Sequence, residues 1–291
     1  MASHQSPQTT DTAIVCKNCG YHFSGKYCSQ CGEKVYKEAD RKISHLFEEA
    51  FHFITHFKGS FFTTLKTIFK TPGQLSTDYC NGIRKRYFKP LSLFLLLVVI
   101  YLLFPLASGL NMPLKNHLDQ NNYGEFATKK VQGYLQQHPG ITFTMLEEKF
   151  AAKSEKLSKL LLLMIVPCTA LILWALTFFK RKYFFDQMVI SAEINSFFLI
   201  ANFFLLPILI ASIYLLAKIF NFSVGWVTEV RFTFVGQAAT ALFTAFAMKR
   251  FYGFKRIYRI IASLIFIFFH VFIVYTLYKF TLFVAVFYQI H

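Results

Sequence analysis

Two short cysteine pairs, Cys16-Lys17-Asn18-Cys19 and Cys28-Ser29-Gln30-Cys31, carry the clearest chemistry in this chain. Each is followed by a glycine, Gly20 or Gly32, that lets the backbone turn tightly beneath the sulfurs. Four soft thiolates in two pairs, eight residues apart, suit one tetrahedral zinc and predict a zinc ribbon over residues 14–36. The set leaves no coordination position for water, so the expected role is structural, not hydrolytic. Two disulfides are the alternative, and they would require an oxidising compartment. Cys80 and Cys168 have no such spacing and are read as unpaired thiols without assigned chemistry.

A second set is less specific. His45, Glu49, His52 and His56 fall on one helical face, and two imidazoles four apart with a carboxylate one turn earlier would suit a second metal or proton site. No partner segment with matching ligands is evident, and the stripe reads more simply as the polar face of a docked helix. The opposite face, Ile43, Leu46, Phe47, Phe51, Ile54, Phe57, Phe61, Leu65 and Ile68, has helical periodicity. With Lys58, Lys66 and Lys70, it predicts amphipathic helices over 41–89 lying along a membrane surface.

These groups sit ahead of a body that water would not accommodate. Hydrophobic residues make up 55 % of the chain, charged residues 16 %, and the mean hydropathy is +0.41, whereas soluble domains carry about 25 % charge. Residues 1–13 are polar and without an apolar run, so they read as a disordered tail and not a signal peptide. Apolar stretches near the length needed to cross a bilayer occur at about 91–110, 157–179, 196–220, 230–248 and 260–278. The expected fold is therefore an all-α polytopic membrane protein of about five transmembrane helices, with a bundle over 90–291 and a loop at 111–156. Pro207 predicts a kink in the third span. The aromatic tail after Lys279 either prolongs the last helix or lies in the interface.

The net charge of +16 admits nucleic acid or anionic lipid as a partner. Its distribution favours lipid. Basic clusters flank the spans: Arg84, Lys85, Arg86 and Lys89 before the first, Lys180 to Lys182 after the second, and Lys249 to Arg259 before the fifth. The positive-inside rule then places the N-terminus in the cytoplasm, the 111–156 loop and the C-terminus outside, and the basic flanks against anionic headgroups. Nucleic acid is not expected. A cytoplasmic ribbon would keep its cysteines reduced and free to bind zinc. Polar residues at membrane depth are functional candidates, here Glu193, Asn195, Asn202, Gln237 and His270. Glu193 reads as hydrated near an interface and His270 as a hydrogen-bonded core residue, unless the two face each other as a proton relay. Small residues around Gly236, Thr240 and Thr244 predict close helix packing, not a wide pore.

The segment Thr64-Leu65-Lys66, Pro72-Gly73, Tyr79, Asn81-Gly82, Arg84-Lys85-Arg86-Tyr87 and Pro90 resembles a family of bacterial integral membrane proteins of unknown function, many of which begin with a small zinc ribbon. The family's Gly-x-Arg-x-x-Tyr-x-x-Pro lead-in to the first span corresponds to the run from Gly82 to Pro90. The resemblance implies a bacterial inner-membrane location and brings no known reaction. Relatives often carry histidines early in the third span, where this chain has Gln187, Glu193 and Asn195, so metal chemistry built on those histidines is not expected here. Physically, Pro72-Gly73 stops one helix, Asn81-Gly82 makes a turn, and the basic run meets phosphates before Pro90 opens the membrane helix.

No GxSxG, phosphate-binding loop, dinucleotide fingerprint or paired-carboxylate set is present, and no catalytic residue is assigned. The leading expectation is a membrane-anchored interaction or scaffold protein with a protein partner at the cytoplasmic ribbon, in a monomer or an oligomer. A small transporter or channel subunit would need its intramembrane polar groups on one path. A membrane metalloenzyme would need the His45/Glu49/His52/His56 stripe.

Overall fold

The computed structural model describes residues 14–35, 59–104, 112–120, 122–221, 223–225 and 227–290. Residues 1–13 and the stripe His45, Glu49, His52 and His56 lie outside them. The chain begins with a two-stranded antiparallel ribbon, β1 (Ile14–Val15) against β2 (His22–Phe23), with Ile14 opposite Phe23. Each cysteine pair closes a knuckle of the same design. Gly20 N–H donates to Cys16 C=O at 2.8 Å and Gly32 N–H to Cys28 C=O at 2.7 Å, with both glycines at positive φ.

A helical hairpin follows, α1 (Ser60–Lys70) and α2 (Gln74–Cys80), turning at Pro72-Gly73. The Asn81-Gly82 turn ends α2, with Gly82 at φ +96°. Pro90 then opens the apolar α3 (Pro90–Leu103) from an extended Lys89, the position where its missing N–H costs nothing.

The body is helical. α6 (Phe143–Leu163) and α7 (Ile165–Thr177) form one long apolar unit. α8 (Phe184–Leu199) continues through a π-helical turn at Ile200–Leu205 into α9 (Leu206–Phe220). α10 (Glu229–Tyr252) is followed by α11 (Arg256–Phe272), which runs through a second π turn at Ile273–Leu277 into α12 (Tyr278–Ile290). Helix α8 is the axis of the bundle: α2, α3, α7 and α10 surround it and bury nearly all of it.

Among the described residues three helices are long and apolar enough to cross a membrane, Phe143–Thr177, Phe184–Phe220 and Arg256–Ile290. The other two expected spans differ. Of the first, the described residues are helical over 14, Pro90–Leu103, about 21 Å at 1.5 Å per residue and short of a ~30 Å hydrocarbon core. The fourth is a full-length helix, but Arg231, Thr233, Gln237, Thr240, Thr244 and Lys249 dilute its apolar character. At Pro207 the chain answers the missing N–H by shifting the preceding hydrogen-bond ladder to π spacing over Ile200–Leu205. The aromatic tail prolongs the last helix to Ile290.

The stretch 111–156, expected as a loop, is largely helical. α4 (Leu114–Leu118), α5 (Gly124–Gln137) and the first half of α6 pack on α12 around His117, Tyr123, Phe150 and Phe283. Ala127, Val131 and Tyr134 form the buried stripe of α5. Abundant polar residues on the other face mask that pattern. This small domain and the ribbon lie at opposite ends of the 35-residue Phe143–Thr177 unit.

Candidate metal centre

The Sγ atoms of Cys16, Cys19, Cys28 and Cys31 all lie within 4.8 Å of one another. Cys16 and Cys31 are 3.5 Å apart, Cys19 and Cys28 3.7 Å. A tetrahedral ion with metal–sulfur bonds of about 2.3 Å separates its ligands by about 3.8 Å, whereas a disulfide would close to about 2.05 Å. The cluster therefore has the dimensions of a ligand set, and the four thiols can hold a metal ion. The Asn18 side chain hydrogen-bonds Cys31 and, with the Glu33 backbone and neighbouring thiols, draws its thiol down to about 6 against the pull of burial. That favours the thiolate a metal needs at Cys31, whereas at Cys19, against a bond involving the Tyr21 backbone, desolvation and the neighbouring thiols push the thiol up to about 12.

The ribbon is fastened to the helical body. The buried Glu33 carboxylate accepts from the backbone N–H of Arg84 at 3.2 Å and of Lys85 at 2.8 Å. Lys17 Nζ donates to Asn81 C=O at 3.1 Å. Glu33 immediately follows the second knuckle glycine, so metal binding and docking share a few residues of backbone.

The surface that receives it is the lead-in to α3, and its motif residues interlock. Thr64 Oγ1 donates to Ser60 C=O at 2.7 Å and accepts from Phe88 N–H at 2.8 Å. Tyr87 donates its hydroxyl to Asp78 at 2.6 Å, and burial followed by that acceptor pushes the phenol up to about 12. Asp78 also accepts from Gln74 at 2.6 Å. The expected headgroup role of Arg84 is corrected here. Arg84 is buried, its Nε donates to Tyr79 C=O at 3.1 Å, and its guanidinium lies 4.7 Å from the Tyr79 ring and 5.3 Å from that of Phe185. Lys85 and Arg86 are exposed and Lys89 half-buried.

Glu193 is fully buried and not hydrated. Its carboxylate accepts from Gly73 N–H at 2.8 Å, from Ser76 N–H at 2.8 Å and from the Ser76 hydroxyl. It thus caps the N-terminus of α2 from a helix 120 residues away in sequence. Gly73 has φ +79°, and a Cβ there would fall 2.6 Å from the Ala247 carbonyl oxygen, so α10 presses directly on the turn. Arg250 adds a bond to Pro72 C=O at 3.2 Å.

The other polar groups expected at membrane depth have their own partners. His270 Nε2 faces Asn195 Oδ1 at 3.2 Å and not Glu193, so the suggested relay is not formed. Asn195 donates onward to Thr169 Oγ1 and Ser191 C=O, both at 2.9 Å. Asn202 bonds Phe198 C=O at 3.0 Å and Thr240 at 3.4 Å. Gln237 donates to the Tyr275 hydroxyl at 3.2 Å. These contacts knit helix pairs together at four places and do not converge on one path. Cys80 is buried beside Asp186, and burial followed by that charge pushes its thiol up, which leaves it unreactive.

Sequence reading passed over Glu33, Ser76 and Asp78, which complete the site. A signal existed for Asp78, four residues after Gln74 on a short helix. Glu33 and Ser76 act only through distant partners. Residues 59–102, which hold α1, α2, all but the last residue of α3 and every motif residue from Thr64 to Pro90, match the family described as Protein of unknown function (DUF3667). No curated protein and no solved structure matches the chain.

Proposed function

We propose that this chain is a membrane-anchored zinc-ribbon scaffold of the bacterial inner membrane, which presents the ribbon to a cytoplasmic protein partner. The observation that carries the reading is the mounting of the ribbon. Glu33 and Lys17 fix its inner side to residues 81–85, while Tyr27, Tyr21 and Val15 stand 58, 48 and 52 % exposed on a module of some two dozen residues. Exposed aromatics on a rigid, membrane-fixed platform are the groups that anchor protein interfaces. Zinc is the metal that four thiolates in a closed tetrahedral set favour. Basic flanks near Lys85, Lys182 and Lys255 support a cytoplasmic ribbon and an outer position for the far-end domain.

Co-purification in mild detergent from native membranes tests the proposal, comparing the wild type with Tyr21→Ser/Tyr27→Ser. A stoichiometric protein partner that the double variant loses, while the membrane yield is unchanged, is the expected result. A wild type that purifies alone, or a partner retained by the variant, counts against it. Labelling of an introduced Lys26→Cys from the cytoplasmic side and of Gln136→Cys, exposed on the far-end helix α5, from the outer side checks the orientation. Labelling of Gln136→Cys from the cytoplasmic side alone would invert it.

A further inference from the structure

The turn joining α7 to α8 borders a cleft of about 520 Å³ lined by Lys180, Arg181, Lys182, Tyr183, Asp186, Phe251 and Tyr252. Three cations against one carboxylate leave it positive. The carboxylate is already committed: Asp186, 3 % exposed, takes Arg181 Nη1 at 3.2 Å. Arg181 is further held by a bond from Nε to Phe251 C=O at 3.3 Å and by its guanidinium lying 4.0 Å over the Phe251 ring. One cation is thus fixed in place by the protein, and two exposed lysines flank it on a six-residue turn. The floor is tied down as well, by Gln187 Nε2 donating to Arg181 C=O at 3.1 Å and by the Tyr252 hydroxyl donating to Gln187.

The surroundings say what reaches this cleft. The turn connects two of the helices long and apolar enough to cross a membrane. Phe178, Phe179 and Ile257 are 57, 55 and 75 % exposed beside it, in the same short segments as Lys180, Lys182, Lys255 and Arg256. Tyr258 of α11 reaches across to Leu176 C=O at 2.7 Å, so the two apolar edges lie at one level. An exposed apolar rim meeting a cationic rim marks the boundary between acyl chains and headgroups.

We propose that this cleft binds the phosphodiester headgroup of an anionic phospholipid, with Lys180 and Lys182 contacting the phosphate and the Asp186-anchored Arg181 giving it a fixed partner. The proposal rests on the membrane reading of the helices and is independent of the ribbon's partner. It also places the headgroup contact away from Arg84, which the fold has buried.

Native mass spectrometry of the full-length protein released from phosphatidylglycerol/phosphatidylcholine mixtures tests it, with Lys180→Gln/Lys182→Gln compared against Lys129→Gln/Lys130→Gln on the far-end helix α5. The expected result is retention of phosphatidylglycerol over phosphatidylcholine, weakened about 30-fold by loss of the two cleft lysines and unchanged in the control pair. Equal retention of both lipids, or insensitivity to the cleft variant, would overturn the site. Displacement of phosphatidylglycerol by millimolar inorganic phosphate would overturn its assignment to lipid. Extraction of the wild type from membranes by alkaline carbonate would instead overturn the membrane reading itself, so the two failures are separable.

Discussion

The Glu193 carboxylate accepts the backbone N–H of Gly73 at 2.8 Å, joining the central helix of the bundle to the tip of the hairpin that precedes the first apolar helix. The bond explains why a carboxylate can stand at full burial in the bundle: three donors from Gly73 and Ser76 replace its water. It also gives the Pro72-Gly73 turn a purpose beyond stopping α1, because only a residue without Cβ lets α10 close over those donors.

Glu193→Ala should therefore destabilise the protein by about 2–4 kcal/mol, since it strands buried donors as well as removing their acceptor. Glu193→Gln should cost less, because one carbonyl oxygen remains. Gly73→Ala should cost at least as much as Glu193→Gln, given its positive φ and the Ala247 backbone in the way. Thermal unfolding in detergent measures all three, and an unchanged midpoint for Glu193→Ala would contradict the capping role.

The ribbon should hold about one zinc per chain, measured by elemental analysis of protein purified under reducing conditions. Cys16→Ser with Cys19→Ser should abolish it, because metal binding and folding of so small a unit are coupled. Backbone hydrogen exchange at Arg84 and Lys85, slow while Glu33 is docked, should then accelerate. Iron in place of zinc would contradict the metal assignment, and unchanged exchange would contradict the coupling to the mount.

The far-end domain should weaken in acid. Burial, reinforced by the Lys279 charge, lowers the His117 pKa from 6.5 to about 4, so between those values the unfolded chain binds a proton that the folded chain refuses. Stability contributed by the neutral imidazole is complete above about pH 6.5 and falls as the pH drops towards 4, by on the order of 2–3 kcal/mol. Melting curves from pH 7 to 4.5 should show that slope, and His117→Phe, which keeps an aromatic ring among Tyr123, Phe150 and Phe283, should flatten it. A slope that survives the substitution would place the titration elsewhere.

Local chemistry was legible in the sequence, and long-range chemistry was not. Cys16, Cys19, Cys28 and Cys31 could be read as one ligand set because two knuckles impose their spacing within sixteen residues. The apolar runs at about 157–179, 196–220 and 260–278 announced themselves by length, and each lies within one of the long helices Phe143–Thr177, Phe184–Phe220 and Arg256–Ile290. Arg84 read as a surface charge because its neighbours in sequence are basic, yet its burial depends on Glu33, Tyr79 and Phe185. Glu193 read as an acid hydrated near an interface because its actual donors lie 117 and 120 residues away in sequence. The helices within 111–156 were hidden because an amphipathic helix packed on one side only is mostly polar in composition.

A photoreactive phenylalanine analogue in place of Tyr27, in the full-length protein in intact cells, tests the scaffold reading most directly. One discrete protein adduct of constant mass, formed at Tyr27 and lost when Cys16→Ser and Cys19→Ser are added, is the predicted result. No protein adduct at Tyr27, or the same adduct after the thiols are removed, would contradict the account.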